Sequence, residues 1–381
     1  MFHLIQELSR QHQISVLAWV RNKEEQQSNQ ALQQYCRSTS FLIKDSSPKC
    51  SLLGVSPAGF DEFYSQKMEF ERDRIIVEDE INILQIEYSH MSRYLLKSPQ
   101  LGVFLTFHEL AFVSKWRHMK KTSNPLTKLY YLYDCLRLVR HELRICKQAD
   151  RVFTMSAHDS RILRSELTGF SPKISSQITI GVDVNQNPRH RRNPQRNSLL
   201  FVGNLSHLPN VDGIRFFYHE VLPLIRSQRK DILLYIVGAE PPHEIFKMQE
   251  DPNTIVTGQV EHIDSYFQEH TVFVAPIRVG SGVRLKILEA LGARIPIVST
   301  TLGAEGIDVK NRENILLADS PSDFARCVLN LLENPDLCQK LADNGHLLVK
   351  KKYNYQIIAQ NLTEEYRRLL MEKRDLDKKG V

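Results

Sequence analysis

No apolar run in this 381-residue chain approaches the roughly 20 residues needed to span a bilayer, which argues against an integral membrane protein built on long apolar helices. The opening residues, MFHLIQELSR, lack the basic-then-apolar layout of a signal peptide. Six cysteines (Cys36, Cys50, Cys135, Cys146, Cys327 and Cys338) are scattered without a C-x-x-C pair. Neither a disulfide framework nor a zinc site is indicated, and a reducing cytoplasm is the expected compartment. No carboxylate or histidine cluster has metal-ligand spacing, so no metal or cofactor is expected. The pattern G-x-x-x-x-G-K-[ST] is absent, which speaks against a P-loop ATPase. Gly280 and Gly282 form a G-x-G without the third glycine of a dinucleotide fingerprint. Charge of one sign is also in short supply. The formal net charge of +6 allows contact with an anionic surface without requiring it, and no nucleic-acid partner is expected.

What is present is an ordinary soluble balance, 42% hydrophobic and 25% charged, at a length that suggests two domains. The second half alternates strand and helix. Strands are expected at Leu199–Gly203, Ile232–Gly238, Thr254–Thr257, Thr271–Pro276 and Ile295–Ser299, each apolar and rich in Val or Ile. Helices are expected between them, such as Gly213–His219 and Ser322–Leu332, which is the arithmetic of a parallel sheet wrapped by helices. The first half repeats the theme with strands at Ile14–Val20, Ser40–Ile43, Ile83–Glu87, Gly102–Thr106 and Val152–Met155, and helix over 109–148. The segment 187–197, NPRHRRNPQRN, holds two prolines and no apolar residue, and reads as a linker. The expected layout is therefore a domain over 1–186, the linker, and a domain over 198–353. A closing stretch over 354–381 follows. In it, Ile358, Leu362, Tyr366 and Leu369 mark an amphipathic helix before a charged, frayed tail. At the start, Phe2, Ile5 and Leu8 fit a helix face. A doubly wound domain normally opens on a central strand, and that strand is not evident here.

Residues 272–306, VFVAPIRVGSGVRLKILEALGARIPIVSTTLGAEG, are the most informative segment. An apolar strand runs into a loop holding Gly280 and Gly282. The loop carries Arg284 and opens a helix with Lys286 and Glu289, and a second strand and a loop with Gly303 and Gly306 follow. Glycines let a backbone approach a ligand closely, and a helix N-terminus offers unpaired N–H groups to an anion. Two cations beside it suit a phosphorylated ligand, and no other cation is expected to serve these loops. One carboxylate suits sugar hydroxyls. The combination points to a nucleotide-sugar site. The bland reading of Arg284 and Lys286 is a pair of solvated helix charges. That of Glu289 is a structural ion pair with Lys286 or a neighbour.

With these residues in view, the chain resembles the GT-B glycosyltransferases of the family 4 type (glycosyl transferases group 1). LLFVGNLSHLPNVDGIRFF (199–217) looks like the family's first C-domain strand, ligand loop and helix. GSGVRLKILEALGARIPIVST (280–300) looks like its donor loop and helix, and IGVD (180–183) like the end of its N-domain. LQIEYSHM (84–91) and FLTFHE (104–109) resemble segments facing the acceptor. The resemblance implies an α/β GT-B fold of two Rossmann-like domains facing a cleft, with the final helix returning to the N-domain. It implies sugar transfer from a nucleotide-sugar donor to a glycan, lipid-linked or small-molecule acceptor, with retention of configuration. Donor contacts are then expected from Gly203, Asn204, Gly280, Ser281, Gly282, Arg284, Lys286 and Glu289. Arg284 and Lys286 neutralise the leaving diphosphate, and Glu289 accepts from ribose hydroxyls. His108 and Glu109 fall on the acceptor side. His108 contacts the transferred sugar, positions the acceptor, or is structural. Glu109 is an acceptor-side base or a helix N-terminal charge.

Three departures from the family stand out. Its E-x7-E pair keeps only the second glutamate, Glu289, with Ser281 in the first position as a sugar contact, a helix cap or plain loop. The Arg and Lys that follow the first C-domain strand are replaced by Asn204, His207 and Asn210. The opening strand and its glycine loop are not seen. A non-catalytic or truncated GT-B protein that binds a nucleotide-sugar or a partner is accordingly the alternative, with a sugar-nucleotide epimerase behind it. The stretch SKWRHMKK (114–121) is either a solvated basic loop or a peripheral contact with an anionic membrane at its inner face.

Overall fold

A computed structural model describes residues 1–44, 60–166, 173–175, 180–183, 194–280 and 282–378. The chain divides into two compact units, one made of 1–179 with 355–381 and the other of 180–354. The second unit begins ahead of the segment 187–197, most of which lies outside the described residues, and Gln195 already starts a strand.

The first unit contains α1 (Phe2–Leu8), β1 (Ser15–Val20), α2 (Lys23–Ser28), β2 (Ser38–Ile43), α3 (Gln66–Glu78), β3 (Ile83–Glu87) and β4 (Gly102–Phe107). It continues through α4 (Ala111–Lys121), α5 (Pro125–Cys146), β5 (Arg151–Thr154), α6 (Ala157–Glu166) and β6 (Lys173–Ser175). All of its strand pairings are parallel, but they form two sheets, β1-β2 and β3-β4-β5-β6. The two sheets share one core, in which Leu17, Trp19 and Leu42 pack with Met68, Ile86 and Leu105. Polar ties reinforce it. The Trp19 indole donates to the Phe63 carbonyl at 3.2 Å, and the Ser15 hydroxyl to Asp79 Oδ2 at 2.6 Å.

The second unit contains β7 (Gln195–Val202), α7 (Leu208–Phe216), α8 (Leu222–Arg226), β8 (Leu233–Val237), α9 (His243–Phe246), β9 (Thr254–Gly258) and α10 (Asp264–Glu269). Then come β10 (His270–Ala275), α11 (Leu285–Gly292), β11 (Ile297–Ser299), β12 (Leu316–Leu317), α12 (Pro321–Glu333) and α13 (Pro335–Lys352). Its six strands form one parallel sheet in the order β12-β11-β10-β7-β8-β9. Helices cover both faces, so residues 199–202 of β7, all of β8 and residues 272–275 of β10 are near-continuous apolar runs, as a doubly covered sheet demands. Between α7 and α8 the helix continues through a π turn at 217–221. Pro223 lacks the N–H that would close the regular ladder four residues back, which accounts for the widened turn.

The last helix, α14 (Tyr355–Lys378), lies in the first unit. Ile358, Ala359, Leu362 and Leu369 pack with Leu4, Leu8, Phe104 and Phe153. In α1 the buried face is Leu4, Ile5 and Leu8, with Phe2 exposed, so the expected stripe is rotated by about one residue. The tail expected to fray is helical as far as Lys378. Buried Arg151 donates to Glu372 at 2.7 Å, and Lys373 pairs with Asp150 at 3.0 Å, so charges in the tail have fixed partners. No helix among the described residues is long and apolar enough to cross a membrane.

Candidate functional site

Sheet order determines where a ligand fits in the second unit. Strands β7, β8 and β9 run outward in sequence, and the chain then crosses back to place β10 on the other side of β7. The order reverses between β7 and β10, and parallel sheets bind ligands outside the strand ends at such a point. The loops leaving these two strands are those that begin at Gly203 and Pro276.

The loop after β10 turns at Gly280 (φ +96°) and Gly282 (φ +83°), a region that a side chain disfavours. It ends at Arg284, the N-cap of α11, which provides no side-chain cap. The first turn of α11 holds no acidic residue, so its N–H groups have no carboxylate of their own. Burial of Ile287, Leu288, Ala290 and Leu291 fixes the rotation of α11 and leaves Lys286 and Glu289 together on another face.

Lys286 reaches across the switch point. Its ammonium donates to the Val202 carbonyl at 2.9 Å, at the end of β7, and to Asn210 Oδ1 at 2.7 Å, and it lies 4.6 Å from the Phe201 ring centre. The residue as a whole is half-buried, but the ammonium is enclosed. Burial lowers its pKa to about 7, with Arg284 adding to the fall and Glu289 opposing it. Arg284 bends back to donate to the Gly282 carbonyl. The cation that the loop after β7 does not supply is thus brought there from α11.

Glu289 is raised above the usual carboxylate range by burial first, then by Asp264, while Lys286 works the other way. Among the described residues it makes no ion pair with Lys286. Ser281 lies outside the described residues. Asn204 is exposed, and its side-chain oxygen accepts from the Ser206 amide and hydroxyl, both at 2.8 Å. That engagement makes Asn204 a loop-shaping residue. A Cβ on Gly238 would stand 1.8 Å from the Gly203 carbonyl oxygen, so the ends of β7 and β8 close up only because residue 238 has none. One further cation lies in the donor loop, contrary to expectation. Arg278 forms a two-pronged pair with Asp212 at 3.0 and 3.2 Å and covers the Phe216 ring, which fixes the loop against α7. The charge of Asp212, two residues after Asn210, was the available signal.

In the first unit, His108 follows the end of β4 and Glu87 ends β3, so two neighbouring parallel strands bring them together. His108 Nε2 and Glu87 Oε2 are 2.7 Å apart, and the Tyr88 ring stacks on the imidazole at 3.8 Å. Tyr88 has φ +71°, an uncommon conformation for a bulky residue and a form of strain that clusters at functional sites. Glu87 and Tyr88 were not singled out from the sequence, although the stretch LQIEYSHM contains both. Glu109 is exposed, ahead of α4. A different carboxyl serves that helix N-terminus: Glu142 of α5 accepts from the Ala111 and Phe112 amides at 3.2 and 3.3 Å. Burial pushes Glu142 up to about 8 against those two bonds. Among the described residues, no group of three or more His, Cys, Asp or Glu could hold a metal ion.

The chain resembles known proteins in sequence and in fold. Residues 196–334 match the family model described as Glycosyl transferases group 1. An uncharacterized 44.6 kDa protein in the cps region of Klebsiella pneumoniae is 25% identical over 176 residues, which is 44% of this chain and 45% of that protein. The chain thus spans about half the length of the curated relatives it matches. Sucrose-phosphate synthase from Thermosynechococcus elongatus superposes with a TM-score of 0.67 at 16% identity, covering 95% of this chain and 100% of that one. The Anabaena protein HepE, solved with UDP, gives 0.67 at 11% identity over 96% and 95%. Residues 196–334 are therefore a glycosyl transferases group 1 domain, in a chain with the two-unit α/β fold of the GT-B glycosyltransferases.

Proposed function

We propose that this protein is a glycosyltransferase of the family 4 type. It moves a sugar from a nucleotide-sugar donor to a glycan, lipid-linked or small-molecule acceptor, with retention of configuration and without a metal. The observation that carries this reading is the enclosed ammonium of Lys286 at the β7/β10 switch point, beside a double-glycine loop and an acid-free helix N-terminus. HepE has been solved with UDP and with UDP-glucose, which supports a nucleotide-sugar as the donor class.

In this mechanism the donor diphosphate lies on the loop 280–286, against the N–H groups of α11. Arg284 and Lys286 meet its charge, and their hold strengthens as the sugar leaves and charge grows on the departing phosphate. Lys286 is suited to this because burial keeps much of it neutral at pH 7 until an anion arrives. Glu289 accepts from the ribose hydroxyls, which then replace the water its carboxylate loses on burial. The leaving phosphate takes the acceptor's proton, so no separate base is required. His108, oriented by Glu87 and covered by Tyr88, positions the acceptor.

The test is hydrolysis of a panel of UDP-, GDP- and dTDP-sugars without acceptor, comparing the wild type with Lys286→Ala. Hydrolysis of one donor by the wild type, abolished in the variant, is expected. Donor binding with no turnover under any condition would overturn transfer and leave a binding protein. A product isomeric with the donor sugar would indicate epimerisation.

A further inference from the structure

Helix α5 has two apolar faces where a surface helix needs only one. Cys135, Leu138, Ile145 and Cys146 are buried against the first unit's core. On the opposite side Leu126 (79% exposed), Leu129 (66%), Tyr130, Tyr133 and Leu136 (63%) follow one another at spacings of three and four. Exposed Trp116 of α4 lies beside this stripe. Trp116, Leu132 and Leu136 line one edge of a groove of about 430 Å³ that also takes in Phe112, Val139 and Ile162. Single exposed apolar residues need no explanation, but a contiguous stripe with a groove alongside it does.

The charges around the stripe are of one sign. From Ala111 to Lys147 the sequence holds nine Lys and Arg against two acidic residues, Asp134 and Glu142. Both acids are buried, Asp134 against Lys115 at 3.0 Å and Glu142 under the N-terminus of α4. The exposed charge of this helical hairpin is therefore wholly basic. It accounts for more than the chain's net +6, leaving the rest of the molecule slightly acidic. On α5 the apolar stripe continues along the same face as Arg137, Arg140 and Arg144. Lys120 lies over the Trp116 ring at 5.3 Å.

We infer that the α4–α5 hairpin is a membrane-docking surface for an anionic bilayer. Leu126, Leu129, Tyr130, Tyr133 and Leu136 enter the headgroup–acyl boundary, Trp116 lies at its edge, and Arg140, Arg144 and Lys120 meet lipid phosphates. The charge decides against the other apolar occupant, a second copy of this chain. An isologous pairing through this face would set one basic surface against another with no exposed acid to answer it. The inference stands apart from the transfer reading, because it needs neither donor nor acceptor.

Flotation with vesicles of phosphatidylcholine containing about one-third phosphatidylglycerol tests it. The full chain is expected to float with these vesicles and not with pure phosphatidylcholine, and the bound fraction is expected to fall as salt is raised. Leu129→Glu with Leu136→Glu should lower binding about tenfold or more. Arg140→Gln with Arg144→Gln should do so without adding a charge or touching the core. Both variants should keep the wild-type circular dichroism and nucleotide affinity, which separates loss of docking from loss of fold. Equal binding to neutral vesicles, or unchanged binding by the arginine variant, would overturn the inference. So would a wild-type dimer in light scattering that the leucine variant dissolves.

Discussion

Donor binding should take up a proton through Lys286. Burial lowers this ammonium to about 7, against 10.5 for a free lysine. The neutral amine can keep both bonds, to the Val202 carbonyl and to Asn210. A diphosphate placed beside it favours the charged form and returns the pKa toward its ordinary range. At pH 8 roughly nine-tenths of the free protein carries a neutral Lys286, so binding should take up about 0.9 proton per site, against about 0.1 at pH 6. Affinity should then fall roughly 50-fold between pH 7 and pH 9. A nucleotide-sugar is the right probe, because both of its phosphates are diesters and carry no proton in this window. The assay is titration calorimetry at pH 8 in buffers of different ionisation heat.

Lys286→Arg, charged throughout, should show no uptake. Lys286→Met should show none and bind weakly. The same enclosure bears on stability. A lysine with a depressed folded pKa favours the folded state above pH 10.5, and that advantage is lost as pH falls through about 7. At neutral pH the burden is on the order of 4 kcal/mol, and losing the two hydrogen bonds offsets about 2 of this. Lys286→Met should therefore raise the melting temperature of the ligand-free protein by roughly 4–8 °C. Uptake at pH 8 that persists in Lys286→Met, or a destabilised variant, would refute the argument.

Other outcomes follow from the same geometry. Glu289→Gln should weaken nucleotide affinity by about tenfold while sparing that of inorganic diphosphate, since a ribose contact is worth on the order of 1.5 kcal/mol; fluorescence titration with both ligands checks it. Glu142 favours folding most below pH 4.5, and this is lost as pH rises through about 8. The stability of Glu142→Gln relative to the wild type should thus rise between about pH 5 and pH 8, as read in paired thermal melts. Gly238→Ala must push the Gly203 carbonyl aside and should cost about 2–3 kcal/mol, read as a drop of several degrees in melting temperature together with weaker donor binding. His108→Gln and Glu87→Gln should each lower kcat about 10²-fold with little change in donor affinity, and the double variant should be no worse than either single one if the two act as a pair.

The sequence by itself determined most of the elements of the fold and the make-up of the loop after β10. Val- and Ile-rich runs located all the strands but β6 and β12 within a few residues, because strands covered on both faces can be read from hydrophobicity, whereas those two are only two or three residues long. The order strand, double glycine, Arg284, Lys286, Glu289 was legible because all of it lies within one local unit. Tertiary structure decided what depends on distant residues meeting. The pairing of His108 with Glu87 needs β3 beside β4, and the capping of α4 by Glu142 needs α5 folded back across it. The side-chain oxygen of Asn204 is engaged by its own turn, and the charge of Arg278 is taken by Asp212. Lys286 shows the division most plainly. Its identity and place on α11 were fixed by the chain, but its enclosed ammonium and lowered pKa exist only because β7 ends against it.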